Sequence, residues 1–169
     1  EYLDEENKSI AFGWLATYKN LIISRSFSKA YGLAGLRVGF GAGCNTLIEL
    51  MNRIRQPFNV NFIAQQAAIA SLQDEDFIRL SRKINNDGMN QIVLAFDSLG
   101  IEYIPSHGNF VSFKLEDETD AMLYYQHLLK NGIILRPIAN YKLPEFLRVS
   151  VGLKEENDQF IKFLSNCKL

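Results

Sequence analysis

The chain has 169 residues, 47% of them hydrophobic, which is typical of one compact domain or one and a half. Its 18 basic and 19 acidic residues give a net charge of −1, so the charge pattern indicates neither nucleic acid nor an acidic membrane surface as a partner. No apolar run approaches the roughly 20 residues that a membrane-spanning helix needs. The acidic first six residues do not resemble a signal peptide.

The cysteines and histidines give no sign of a metal centre. Cys44 and Cys167 lie far apart and form no CxxC pair, and neither His107 nor His127 clusters with them. We therefore expect no bound metal and no disulfide framework, with a reducing cytosol as the default compartment.

The first third of the chain combines apolar runs with glycine-rich stretches. A short apolar run with β-branched residues at 20–26 predicts a buried strand that leads into a loop. The glycines in residues 36–42 permit close backbone approach and predict the next strand. A short helix is predicted at 46–54, ended by Pro57.

The rest of the chain alternates between helices and strands. Good helix formers predict a helix at 63–72, and an apolar stripe at three- and four-residue spacing predicts a longer one at 74–99, with Gly100 as its stop. Beyond it we predict strands at 101–105, 110–115, 133–136 and 146–151 and helices at 120–130 and 155–165. The pattern predicts an α+β unit of four strands and three helices from about residue 74 onward. The strand–loop–strand–helix segment before it is typical of one part of a larger domain.

The segment at 26–39 carries the chemistry, and its sequence is SFSKAYGLAGLRVG. The amine of Lys29 can form a Schiff base with an aldehyde. Ser26 and Ser28 can donate hydroxyl hydrogen bonds to a phosphate, and Arg37 can donate two from its guanidinium. The intervening glycines allow the chain to fold back, so that the arginine returns to the same group. Pyridoxal phosphate (PLP) carries both an aldehyde and a phosphate. The combined spacing disfavours the alternative of a solvated loop lysine and a surface arginine.

This segment closely resembles the lysine signature of fold-type-I PLP-dependent aminotransferases, in particular the branch containing histidinol-phosphate aminotransferase. The lysine signature alone is shared across many aminotransferases, whereas several further stretches resemble this branch more specifically. These stretches are QPFNVN at 56–61 with AQQAA at 64–68, GNFV at 108–111, GIILRP at 132–137 and LRVSVG at 147–152. The resemblance therefore covers almost the whole chain.

The resemblance implies how a cofactor would be held. Lys29 matches the lysine that holds PLP covalently and later shuttles the substrate proton. Ser26, Ser28 and Arg37 match the residues that form the phosphate cup.

The resemblance also implies three substrate contacts. Arg148 matches an arginine that grips the anionic end of the substrate, Arg136 matches a second arginine that serves the substrate phosphate, and Asn109 lies near the substrate. Considered without the resemblance, both arginines could be exposed ion-pair partners. Asn109 could simply organise a turn after Gly108.

The fold that the resemblance implies is α/β and α+β. Residues 1–57 would be the C-terminal part of the large domain of the PLP-dependent transferase fold, and residues 58–169 the small C-terminal domain with its connecting helix. The family's aspartate that pairs with the pyridine nitrogen, its ring-stacking aromatic residue and its tyrosine from a second subunit are not in this sequence. We therefore expect the chain to be a C-terminal fragment that binds PLP weakly or not at all and is inactive alone.

The implied activity of the parent protein is a ping-pong amino transfer between histidinol phosphate and 2-oxoglutarate in histidine biosynthesis, carried out by a cytoplasmic homodimer. Aminotransfer to or from aromatic or other amino acids stays open as an alternative, as does decarboxylation of threonine phosphate. A further alternative, from another class, is a non-catalytic module used for association.

Overall fold

The structure is a computed structural model that describes Tyr2 and residues 10–166. The predictions for the acidic start and for Cys167 lie outside the described residues, and Cys44 is a free thiol. The chain divides into two compact units between Arg82 and Lys83. None of the helices in the described part is both long and apolar enough to cross a membrane. Nor do the same residues include a group of three or more His, Cys, Asp or Glu side chains that could hold a metal ion.

The first unit combines a two-stranded hairpin with short helices. Its elements are α1 (Ala11–Trp14), β1 (Ile22–Ser26), a 3₁₀ turn (Ala34–Leu36), β2 (Gly39–Gly43), α2 (Asn45–Ile54), α3 (Phe62–Gln73) and the first turns of α4 (Glu75–Leu99). The strand predicted at 20–26 and the helices predicted at 46–54, 63–72 and 74–99 are confirmed to within two residues. The strand predicted at 36–42 is shifted, because Leu36 ends the 3₁₀ turn and Arg37 adopts the left-handed conformation with φ of 53°. The short helix α1 was not predicted.

The hairpin pairs β1 and β2 in antiparallel register, from Ile22 opposite Gly43 to Ser26 opposite Gly39. The strands approach so closely that a Cβ atom added at Gly39 would lie 2.6 Å from the carbonyl oxygen of Arg25. A small apolar cluster of Phe27, Val38, Ala64 and Ala68 packs at the end of the hairpin. The loop between the strands is therefore anchored to helix α3, which carries the two alanines.

The second unit contains the rest of α4 followed by alternating strands and helices. Its further elements are β3 (Tyr103–Ile104), β4 (Phe110–Lys114), α5 (Glu118–Lys130), β5 (Arg136–Ile138), a 3₁₀ turn (Ala139–Tyr141), β6 (Leu143–Ser150) and α6 (Lys154–Asn166). These elements confirm the predicted four strands and three helices. The strand predicted at 133–136 is wrong before Arg136. Residues 131–133 instead form the C-terminal cap of α5. Gly132 has a φ of 81°, and the Ile133 N–H donates to the Leu128 carbonyl at 2.9 Å.

The four strands form one antiparallel sheet in the order β3-β4-β6-β5. Residues alternate between the two faces of a strand. One face of the sheet packs against the helices and forms the main core, which includes Ile92, Phe96, Val111, Phe113, Leu128, Leu147, Val149 and Phe160. The intervening residues of β4 and β6 therefore project from the opposite face, and among them is Arg148. The same face also carries Phe146 and Ser112, which are 5% and 7% exposed, so only part of it is open to solvent.

Candidate functional site

The hairpin places three of the predicted phosphate-binding residues at one end of the first unit. Ser26 is the last residue of β1 and faces Gly39 across the ladder. The ladder continues one step further, because the Phe27 N–H donates to the Val38 carbonyl at 3.2 Å. Ser28 and Arg37 are the next residues on the two facing chains. The predicted proximity of these residues follows directly from the register of the hairpin.

Lys29 sits in a tight turn within the same loop. Its carbonyl accepts a hydrogen bond from the Gly32 N–H at 2.8 Å, and Gly32 has φ of 70°, a conformation that favours glycine. The neighbouring side chains of Phe27 and Ala30 are buried, with exposed fractions of 5% and 2%. The lysine side chain itself is exposed and has no hydrogen-bond or ion-pair partner among the residues that the structure describes. The backbone is thus held while the amine stays accessible.

The serines and the arginine keep donors available for an anion. The Ser26 Oγ accepts a hydrogen bond from the Ser28 N–H at 3.1 Å, which leaves the Ser26 hydroxyl proton free to donate. Arg37 uses Nη1 to donate to the Ala34 carbonyl at 2.9 Å, which holds the guanidinium against its own turn. The remaining guanidinium N–H groups can face a phosphate. Two hydroxyls and a guanidinium are donors that fit the phosphate of PLP, and the accessible Lys29 amine is a nucleophile that fits its aldehyde.

Arg136 and Arg148 are brought together in the second unit. They are direct partners in the antiparallel pair of β5 and β6, so both project from the sheet face opposite the helices. Arg136 is exposed and Arg148 is half-buried. Neither arginine forms an ion pair within the described residues. Because like charges directly opposite each other are unfavourable, this pair of positions favours binding of an anion.

Asn109 and Phe110, at the start of β4, lie near this pair of arginines. The carbonyl of Asn109 accepts from the Val151 N–H at 2.9 Å, which ties the start of β4 to the end of β6. The Cζ atom of Arg148 lies 4.5 Å from the centroid of the Phe110 ring. Sequence reasoning assigned Phe110 no role. In the sequence, only its position next to Asn109 places Phe110 near the proposed substrate site. Its contact with Arg148 depends on strand register, which the sequence does not give.

Comparison with known proteins identifies the family. The family model "Aminotransferase class I and II" matches residues 4–164. The histidinol-phosphate aminotransferase of Methylobacillus flagellatus is 54% identical over 164 residues, which cover 97% of this chain and 44% of that protein. The chain therefore spans less than half the length of this curated relative.

Solved structures share the fold. The histidinol-phosphate aminotransferase from Clostridium acetobutylicum matches with a TM-score of 0.83 at 27% identity, over 95% of this chain and 49% of that one. The histidinol-phosphate aminotransferase from Sinorhizobium meliloti, solved in complex with pyridoxal-5'-phosphate, matches with a TM-score of 0.78 at 28% identity, over 89% and 43%. The mixed α/β architecture fits the PLP-dependent transferase fold. With the family model matching almost the whole length, the chain belongs to the class I and II aminotransferases.

Proposed function

We propose that this chain is part of a PLP-dependent aminotransferase that moves an amino group from histidinol phosphate to 2-oxoglutarate. The observation that carries the proposal is the lysine loop. There an accessible Lys29 follows two serines, and the hairpin register returns Arg37 to the same end of the strands. The names of the relatives that match over nearly all of this chain support the choice of substrate.

In this proposal the residues of the first unit bind the cofactor. The Lys29 amine would hold the cofactor through its aldehyde, and its Nζ would accept the proton of the donor's Cα and deliver it to the cofactor side of the reacting bond. The hydroxyls of Ser26 and Ser28 and the guanidinium of Arg37 bind the phosphate. When bound, PLP supplies the electron sink that makes this proton transfer possible.

Arg136 and Arg148, on one face of the sheet of the second unit, supply the substrate anion contacts. A guanidinium presents paired N–H donors that suit a phosphate and a carboxylate equally well. Arg148 and Arg136 would therefore serve both histidinol phosphate and the dicarboxylates 2-oxoglutarate and glutamate. The side chain of Asn109 would lie near the substrate, because its backbone is pinned at the start of β4 beside Phe110.

The proposal extends to the domain organisation and the oligomeric state of the full-length protein. Residues 1–57 would belong to the large PLP-binding domain and residues 58–169 to the small C-terminal domain. The full protein would work as a cytoplasmic homodimer. In this proposal the chain alone binds PLP weakly and shows no amino transfer, because none of the described residues is assigned to the cofactor ring.

Purified full-length enzyme tests the proposal. We expect borohydride reduction of the PLP-loaded enzyme to attach the cofactor to Lys29, as located by peptide mass spectrometry, and the Lys29→Ala enzyme to show no such adduct. We expect amino transfer from histidinol phosphate to 2-oxoglutarate and no release of carbon dioxide from threonine phosphate. An adduct that survives in the Lys29→Ala enzyme would overturn the lysine assignment. Decarboxylation without amino transfer would overturn the proposed reaction.

A further inference from the structure

We infer that Phe110 is a positioning residue for Arg148, holding its guanidinium where it binds the anionic end of the substrate. The inference rests on the proposed function and adds a residue to its substrate site. Phe110 faces Ser150 across the ladder, two residues from Arg148, so the two side chains are diagonal neighbours on one sheet face. The Arg148 Cζ atom lies over the ring, 4.5 Å from its centroid, within the range of a cation–π contact.

This contact suits an arginine that must bind an anion. A carboxylate partner would neutralise the arginine and occupy its N–H donors. An aromatic ring instead attracts the flat face of the guanidinium and leaves the in-plane N–H groups free. Among the described residues Arg148 has no carboxylate partner, so the ring fixes the side chain without consuming its charge.

The ring contact counteracts the like charge of the cross-strand neighbour of Arg148. Arg136 is the direct partner of Arg148 on β5, whereas Phe110 lies on β4, on the other side of β6. Like charges at directly opposed positions disfavour each other, so repulsion from Arg136 works against a fixed position of the Arg148 side chain. The ring supplies an attractive contact on the side away from Arg136.

The backbone that leads into Phe110 is held by hydrogen bonds. The ring also lies close to the position that a side chain at residue 108 would occupy, since a Cβ atom added at Gly108 would be 3.6 Å from the Phe110 Cε1. The Gly108 carbonyl accepts a hydrogen bond at 3.0 Å from the Nδ2 of Asn85, a side chain on α4 that is only 7% exposed. The next carbonyl along the chain, that of Asn109, accepts from the Val151 N–H at 2.9 Å. The backbone that carries the ring is therefore tied to a buried residue of α4 and to the residue that follows β6.

Steady-state kinetics of the full-length enzyme tests the inference with Phe110→Leu and Phe110→Tyr. Phe110→Leu removes the aromatic face at similar volume. We expect it to raise KM for histidinol phosphate about 3- to 10-fold with little change in kcat, as for a lost uniform-binding contact. Phe110→Tyr keeps the face and should restore the wild-type KM. The KM for histidinol, which lacks the phosphate, should stay unchanged in both variants.

A binding measurement and a control separate positioning from a structural role. The dissociation constant of histidinol phosphate from the cofactor-free enzyme, measured by calorimetry, should rise in Phe110→Leu by the same factor as KM. Phe113→Leu is the matched control, because Phe113 lies on the same strand but faces the core and is fully buried. It should lower the melting temperature and leave KM unchanged.

The outcomes separate this inference from the proposed function. An unchanged KM in Phe110→Leu, or an equal rise for histidinol and histidinol phosphate, would overturn the inference and leave the proposed function standing. Wild-type enzyme that does not use histidinol phosphate at all would instead overturn the proposed function. If Phe110→Leu does not fold, Phe110→Met carries the same expectation and the same overturning result.

Discussion

Arg136 and Arg148 face each other directly across strands β5 and β6, two positive charges at opposed positions of one antiparallel pair. Such a pair lowers the stability of the empty sheet and is relieved when an anion binds between the guanidinium groups. The relationship links a local cost in folding to the ability to bind a substrate phosphate or carboxylate.

Replacement of Arg136 by Gln should therefore have opposite effects on stability and on substrate binding. We expect the full-length enzyme to gain roughly 0.2–1 kcal/mol in free energy of unfolding at low ionic strength, because the repulsion is removed. The KM for histidinol phosphate should rise, because one phosphate contact is lost. Chemical denaturation at low and high salt, together with steady-state kinetics, measures both effects. The Arg79→Gln enzyme is the control, since Arg79 is exposed on α4 and pairs with Asp76. A loss of stability in Arg136→Gln would contradict the repulsion argument.

Arg37 is the cation proposed to bind the cofactor phosphate, and its replacement by Gln should weaken cofactor binding. A hydrogen bond from a charged group contributes about 1.5–3 kcal/mol, so the PLP dissociation constant should rise about 10- to 100-fold. Fluorescence titration of the full-length apoenzyme with PLP gives this constant.

The matched control for Arg37→Gln is Arg53→Gln, which makes the same charge change at an exposed position of α2. An equal loss of PLP affinity in both variants would mean that net charge alone, and not a specific contact, governs binding.

The ends of helices and strands can be predicted from the sequence where a residue with a known local preference, such as a capping residue, marks them. The apolar stripe and Gly100 predicted α4 to within one residue, and Gly100 has the positive φ of 69° that such a stop requires. Helix α5 starts two residues earlier than predicted, because Asp117 caps it by accepting from the Asp120 N–H at 3.0 Å. An Asp that precedes the helix by one residue is a local signal for such a cap.

The register of the strands cannot be predicted from the sequence, and the contacts between side chains on neighbouring strands of the second unit depend on it. Alternation places Arg148 on a face of β6, but it does not say which residue of β5 lies opposite. That choice depends on the turn between the strands, where Lys142 takes a left-handed conformation with φ of 63°, and on an irregularity between Pro137 and Ile138. For the same reason the contact between Phe110 and Arg148 became visible only in the structure.

Gly39 should be essential for the hairpin that carries the lysine loop. A Cβ atom there would lie 2.6 Å from the Arg25 carbonyl oxygen, a backbone atom that cannot move without disturbing the ladder. We expect Gly39→Ala to lower the free energy of unfolding by about 1–3 kcal/mol, as overpacking does. Urea denaturation of the full-length enzyme measures this change.

Gly35→Ala is the matched control, because no atom of the described residues lies within 4 Å of a Cβ atom built at Gly35. That variant should keep the wild-type free energy of unfolding to within about 0.5 kcal/mol. Similar midpoints for the Gly39 and Gly35 variants would show that the strands can separate at Gly39 without cost.

Asn157 should be a principal polar contributor to the stability of the second unit. Its side chain is 3% exposed, its Oδ1 accepts from the Gly152 N–H at 2.9 Å, and its Nδ2 donates to the Gly152 carbonyl at 3.1 Å. Replacement by Ala leaves both backbone groups of Gly152 without this partner, which should cost about 1–3 kcal/mol in free energy of unfolding. Asn166→Ala, at the exposed end of the same helix, controls for the loss of an amide from α6. Thermal and urea unfolding of the full-length enzymes check the prediction, and equal stability of the two variants would refute it.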